Sequence, residues 1–208
     1  MASALIHMAV AKKINEKIKY NEKDLLLGVI APDIGKDINI PRKISHFTDG
    51  ISSIPNIDLF LKKYKAKLNN SYEMGYFIHL LTDVVWFDEF IKNYEKESNF
   101  VLKDGGKVYL DEEEFNKLIY NDYTNLNRKL LDYYNMDLSI FYEEYEFPDV
   151  FIEEIPKDKL RQLVDKMGII CSKDYTNTEY VFSIENIVHF VEFTTLYVWD
   201  NIKEYIKW

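Results

Sequence analysis

The sequence predicts an all-α fold, a multi-helix bundle around a central buried helix, with one small β-hairpin near residues 100–110. Three observations predict it. Glycine and proline are scarce, 7 and 5 among 208 residues, while Leu, Ile, Lys and Glu abound, a balance that favours helices over strands and turns. Apolar residues recur at helical spacing in several segments. One apolar run, "GYFIHLLTDVVWF" at 75–87, is long enough for a buried helix. With 47% hydrophobic residues the chain can build one sizeable core, so residues 1–208 are expected to form a single domain.

Each element has its own signal. Residues 3 to about 20 read as the first helix, capped by Ser3, with Leu5, Ile6, Ala9, Val10, Ile14 and Ile18 on one face. A short second helix covers Glu22 to Ile30, and the Pro and Gly of "APDIG" stop it. Residues 33 to 55 read as a long irregular stretch, and a loop of that length inside a compact domain usually has a function. Ile57 to Leu68 is amphipathic. The central helix is expected from about Ser71 to Glu97. Asp104-Gly105-Gly106 between two alternating segments signals the hairpin. The segment "DEEEFNKLIYNDYTNLNRKLLDYYN" is a helix with acids at its start, as the helix dipole prefers. Residues 136 to 157 form an irregular or short-helical connection. Lys159 to Cys171 and Ile184 to Lys207 close the chain as two helices.

Charge and composition narrow the function classes. The formal charge is −9, from 35 acids against 26 bases, and the only arginines are Arg42, Arg128 and Arg161. Duplex nucleic acid is therefore not an expected partner, because binding it needs a basic footprint. The single cysteine, Cys171, allows no internal disulfide and reads as a small buried hydrophobe. The first residues carry no charged leader followed by a long apolar stretch, and no apolar run reaches membrane-spanning length. A soluble cytoplasmic location is expected; the oligomeric state is open.

The chemistry concentrates around histidine. There are four, His7, His46, His79 and His189. His79 and Asp83 lie one helical turn apart inside the apolar run, so their side chains share a face, and Gly75 one turn earlier leaves space there. Burying such a pair is costly unless both groups are satisfied. A divalent metal shared by the imidazole nitrogen and the carboxylate oxygen would satisfy them; so would a direct His–Asp hydrogen bond. His7 sits among Leu5, Ile6 and Met8, where a lone histidine is more often a satisfied core residue than a ligand. Asp33 can tie a turn or bind metal, and His46 can be a loop residue or a ligand. Trp86 and Tyr76 flank the same face and read as core packing, as does His189 in "ENIVHFVEF". Acid runs such as "DEEE" read as solvated faces.

Taken in order, "ALIHMAVA" at the start, "LLGVIAPDI" at 26–34, "ISHF" at 44–47 and "GYFIHLLTD" at 75–83 resemble the zinc-dependent phospholipase C family of bacteria, whose fold is shared by fungal single-strand-specific zinc nucleases. The resemblance covers about the first 90 residues. It implies a metal-dependent hydrolase of phosphate esters, in which a metal-activated water attacks phosphorus. It implies one zinc held by Asp33, His46, His79 and Asp83, with Asp83 bridging to a second zinc held by His7 and the chain's amino terminus. Residue 2 is Ala, so removal of Met1 would bring a free amino group five residues before His7. Asp33 is also the implied catalytic base. The sequence departs from the family at the third metal position, which uses two more histidines and a carboxylate. Asp88, Glu89 or Asp122 are the available substitutes, and carboxylates suit manganese, iron or magnesium as well as zinc. Two or three divalent ions are expected, and the substrate is a small phosphate ester or a phospholipid. The motifs of other hydrolases, an adjacent His-Asp pair, HExxH, a P-loop and G-x-S-x-G, are absent from the sequence. The alternative reading is a non-enzymatic helical scaffold or partner-binding protein with a residual or structural metal site.

Overall fold

The structure, a computed structural model, describes residues 1–96, 99–171 and 175–206. Helix α1 (Ala4–Ile18) starts where its cap predicts, the Ser3 hydroxyl accepting from the Ile6 N–H at 3.4 Å. It ends at Lys19, whose left-handed backbone (φ 56°) turns the chain toward α2 (Glu22–Ile30). The stretch expected to be irregular is more regular than its composition suggests. Residues Ala31–Ile38 form a 3₁₀ helix and Arg42–Ser45 the single turn α3. Pro32 lies in the first turn of the 3₁₀ segment, where its fixed φ is compatible with helix and its missing N–H costs nothing.

Helix α4 (Ile57–Tyr64) leads into α5 (Ser71–Val85), the buried centre. α5 stops short of the expected Glu97. It passes through a π turn at Trp86–Phe90 and a 3₁₀ turn at Ile91–Asn93 before the chain becomes extended. Tertiary packing overrides local helix propensity here. Trp86 and Phe90 turn into an aromatic cluster with Phe182 and Phe190, their ring centres 4.8–5.6 Å from each other and from those two. The expected hairpin is present and gains a strand. β1 (Glu95–Lys96), β2 (Asn99–Val101) and β3 (Lys107–Val108) pair antiparallel in that order, with Phe100 opposite both Glu95 and Val108. Gly105, at φ 82°, makes the turn between β2 and β3.

Helix α6 (Glu112–Tyr134) begins with a reciprocal capping box between Asp111 and Glu114 and ends at left-handed Asn135. After the irregular connection come α7 (Leu160–Cys171) and α8 (Ile184–Ile202), the second capped by Ser183 with Asn186. α8 ends before the expected Lys207, which lies outside the described residues, as does the side chain of Cys171. No helix among the described residues is long and apolar enough to cross a membrane.

The core is organised on α5, which packs against α1, α2, α4 and α8. Its closest neighbour is α2, and two glycines allow the approach. A Cβ on Gly75 would lie 2.1 Å from the Leu25 carbonyl oxygen, and one on Gly28 would lie 2.0 Å from that of Tyr72. The backbones of the two helices therefore touch, and this contact sets the position of the site.

Candidate metal centre

Five side chains from four elements converge beside the α2–α5 contact: His7 on α1, Asp33 in the 3₁₀ segment, His46 at the end of α3, and His79 and Asp83 on α5. The α2–α5 approach acts on His79 directly. Gly75 brings Leu25 close; one turn on in both helices, His79 Nδ1 meets the Val29 carbonyl at 2.6 Å. A carbonyl only accepts, so Nδ1 carries the proton and the Nε2 lone pair of the neutral ring points into the cluster. Burial, and after it the neighbouring His7, push the His79 pKa well below the ordinary histidine value.

His46 is held from the other side. Ser45 Oγ lies 2.9 Å from its Nδ1, and the buried Tyr76 hydroxyl donates to the Ser45 carbonyl. The following residue, Phe47, adopts the left-handed region at φ 54°, which costs a non-glycine residue about 1–3 kcal/mol. Its ring offsets that cost by burying against Phe60, with ring centres 5.3 Å apart, and against Tyr64 and Tyr76. Thus Tyr76 packs in the core and also fixes the turn that aims His46. Trp86 packs in the aromatic cluster beyond α5.

The ligand-type atoms lie close together. His46 Nε2 is 3.3 Å from His79 Nε2, 3.4 Å from Asp33 Oδ1 and 3.7 Å from Asp83 Oδ2. His79 Nε2 is 3.9 Å from Asp33 Oδ1 and 3.8 Å from Asp83 Oδ2. The other oxygen of Asp83, Oδ1, faces His7 Nε2 at 3.5 Å, and the His7 and His79 rings stack at 3.8 Å. Two groups, His7/His79/Asp83 and Asp33/His46/His79, each bring three ligand atoms within 4.8 Å of one another.

This donor set fits a divalent metal better than it fits a hydrogen-bonded core. Both nitrogens of His7, Asp33 Oδ1 and Asp83 Oδ1 are buried without a hydrogen-bond partner among the described residues. Unsatisfied groups of this kind cost about 1–3 kcal/mol each or more. Four ligands about 2.0–2.1 Å from one tetrahedral ion lie roughly 3.3–3.4 Å apart, close to the shorter separations seen here. The carboxylates are held charged as ligands must be. Burial raises the pKa of Asp83, but His7 beside it, His79 and Arg42 outweigh this and hold it well below the usual carboxylate range. Asp33 is likewise lowered, burial being overcome chiefly by the His79 and His46 rings. Asp33 is the member that reaches solvent, its side chain 17% exposed against 2% for His46. With Met1, Ala2, Ser3 and residues of α6 and α7 it lines a cavity of about 310 Å³, and Ala2 itself is buried.

Other residues with a site reading in the sequence lie elsewhere. Asp122 does not join the cluster. Its two oxygens accept from the backbone N–H groups of Tyr180 (2.8 Å), Val181 (2.6 Å) and Phe182 (2.9 Å), tying the approach to α8 onto α6. Asp88 and Glu89 are exposed on the π turn, Asp88 pairing with Lys92 at 2.6 Å. His189 is exposed rather than packed, because the buried face of α8 runs through Ile187, Phe190, Val191 and Thr194. One site residue escaped the sequence reading. Arg42 donates from Nη2 to Asp83 Oδ2 at 2.6 Å. Its signal was available: it is the sole arginine of the first 127 residues, one turn before His46.

A family model described as zinc dependent phospholipase C matches residues 1–144, which include every member of the cluster. No match is found among curated proteins or among solved structures.

Proposed function

The chain belongs to the zinc dependent phospholipase C family, and from that premise we propose that the five-residue cluster holds zinc and hydrolyses phosphate esters. The observation that carries this reading is the set of buried, unpartnered ligand atoms on His7, Asp33 and Asp83 facing the paired Nε2 atoms of His46 and His79. In this reading Asp33, His46, His79 and Asp83 would hold one ion, and Asp83 and His7 would hold a second. Were Met1 removed, the Ala2 amino group would complete that second set, a reading supported by the burial of Ala2 beside the cavity that Asp33 lines.

Zinc supplies Lewis acidity toward a phosphoryl oxygen and makes water acidic enough to lose a proton near neutral pH. The protein's own residues do the rest. The Val29 carbonyl keeps the His79 lone pair aimed inward, the outer-shell role that carbonyls play for metal-binding histidines. Ser45 orients His46 in the same way. Asp33, charged and at the solvent-facing edge, accepts the proton of the attacking water. The buried core behind the cluster excludes bulk water from the other side. The substrate class is a phosphodiester or phosphomonoester, a phospholipid among them.

The test is hydrolysis of p-nitrophenyl phosphate, bis(p-nitrophenyl) phosphate and a short-chain phospholipid by zinc-loaded protein. Wild type is expected to turn over at least one of them. Asp33→Asn is expected to lose about 10²–10⁴ in kcat while keeping more than half of the metal. No turnover of any ester at full zinc occupancy would refute the hydrolase reading.

A further inference from the structure

Beside the cluster stands a cation that ligand chemistry leaves unused. Arg42, at the start of α3, donates from Nη2 to Asp83 Oδ2 at 2.6 Å and, at a longer 3.4 Å, to the Ser53 carbonyl. Its Nη1 approaches Met1 Sδ at 3.9 Å, a contact that removal of Met1 would free, and the guanidinium lies 5.3 Å from the centre of the Phe87 ring. Met1, Ser53 and Phe87 all line one cavity of about 300 Å³. The guanidinium therefore lies between a buried cluster carboxylate and residues that line this cavity, its side chain 28% exposed.

The group has donors to spare. A guanidinium carries five N–H donors in a rigid plane. Asp83, Ser53 and Met1 take three of them, and the rest have no acceptor among the described residues. The other two arginines behave differently. Arg128 and Arg161 pair one turn along their own helices, with Asp132 at 3.4 Å and Asp165 at 3.0 Å. Arg42 instead shares its carboxylate with His7, His46 and His79. With a divalent ion taking up the charge of Asp83 and with Met1 removed, N–H groups on both Nη1 and Nη2 would be free to meet a second anion. A guanidinium fork matches carboxylates and phosphates through two parallel charge-assisted hydrogen bonds, and at the edge of a cluster read as a phosphate-ester hydrolase the anion to expect is phosphate.

We propose that Arg42 binds a non-bridging phosphate oxygen of the substrate at the edge of the metal cluster. The inference rests on the metal reading of the cluster, and its test is a binding measurement that does not require turnover. The probe is inorganic phosphate, titrated calorimetrically into zinc-loaded wild type, Arg42→Lys and Arg42→Met, with zinc content measured on each. Wild type is expected to bind phosphate. Arg42→Met is expected to keep its zinc and to bind phosphate about tenfold more weakly or worse, and Arg42→Lys to fall between, since it keeps the charge and loses the fork. For any ester that wild type hydrolyses, KM is expected to rise in Arg42→Met, and comparison of the monoester with the diester shows which phosphate chemistry the fork prefers. Phosphate affinity unchanged in both variants would overturn the proposal. So would loss of zinc from both, which would make Arg42 a keeper of Asp83 and not a substrate contact. If wild type binds phosphate through Arg42 yet hydrolyses no ester, the hydrolase reading fails and this inference stands.

Discussion

His79 shows how one residue can be tuned by its surroundings and can report on them. Its pKa is driven well below 6.5, first by burial and then by the neighbouring His7 ring. In the unfolded chain the same imidazole takes up a proton near its ordinary value. Between those two values the unfolded state binds more protons, so stability rises with pH. In metal-free protein the His79 contribution is complete above pH 6.5 and is lost as pH falls below it. Asp33 and Asp83 are depressed acids whose contributions are complete above 3.8 and are lost further down. The melting temperature of metal-free protein should therefore drop on acidification from about pH 7 to pH 5, and His79→Gln should flatten that drop. An equally steep drop in the variant would show that His79 does not carry it. Sequence spacing was enough to place His79 and Asp83 on one face of a helix. It could not show the Val29 carbonyl that fixes the tautomer, 50 residues earlier, nor the Arg42 fork that meets Asp83 from 41 residues away.

At the scale of elements, the decisive contact is α2 against α5. Gly75 leaves room for a backbone, that of Leu25, and not for an ion. Gly75→Ala would force a Cβ to within 2.1 Å of a carbonyl oxygen, so the helices must separate. We expect a loss of about 1–3 kcal/mol or more in metal-free protein. Moving the Val29 carbonyl off His79 should also weaken zinc binding by about 10–100-fold. Gly168→Ala on α7 is the control. Its Cβ would meet nothing closer than 3.4 Å, and Ala is the better helix former, so thermal melts should show no loss. Gly75→Ala melting like wild type would remove this contact from the account. Elements with strong periodicity and good caps, α1, α2, α4 and α6, were readable from the sequence because their signals are local. The end of α5 was not. Trp86 and Phe90 leave regular helix to meet Phe182 and Phe190, residues roughly a hundred positions later that a local pattern cannot see.

The whole molecule arranges one core around one cluster. Its members come from the first 83 residues; α6, α7 and α8 complete the packing, and α6 and α7 the cavity wall beside Asp33. This division explains why the order of short motifs was informative. His7, Asp33, His46 and His79–Asp83 sit at the ends or on the buried faces of four elements within the first 85 residues, and the packing of those elements turns their order into proximity. Asp122 lies apart from the cluster for the converse reason. An acid on a helix beside the centre looks like a ligand until the three N–H groups it serves, 58 to 60 residues later, are folded onto it. The central claim is that the cluster is a zinc site, and metal content by plasma mass spectrometry tests it most directly. Protein without an amino-terminal tag should be loaded with zinc, dialysed against metal-free buffer, and compared with the His79→Ala/Asp83→Ala double variant. The account predicts about two equivalents in wild type and essentially none in the variant. Wild type that retains no zinc, or a double variant that retains as much as wild type, would contradict it.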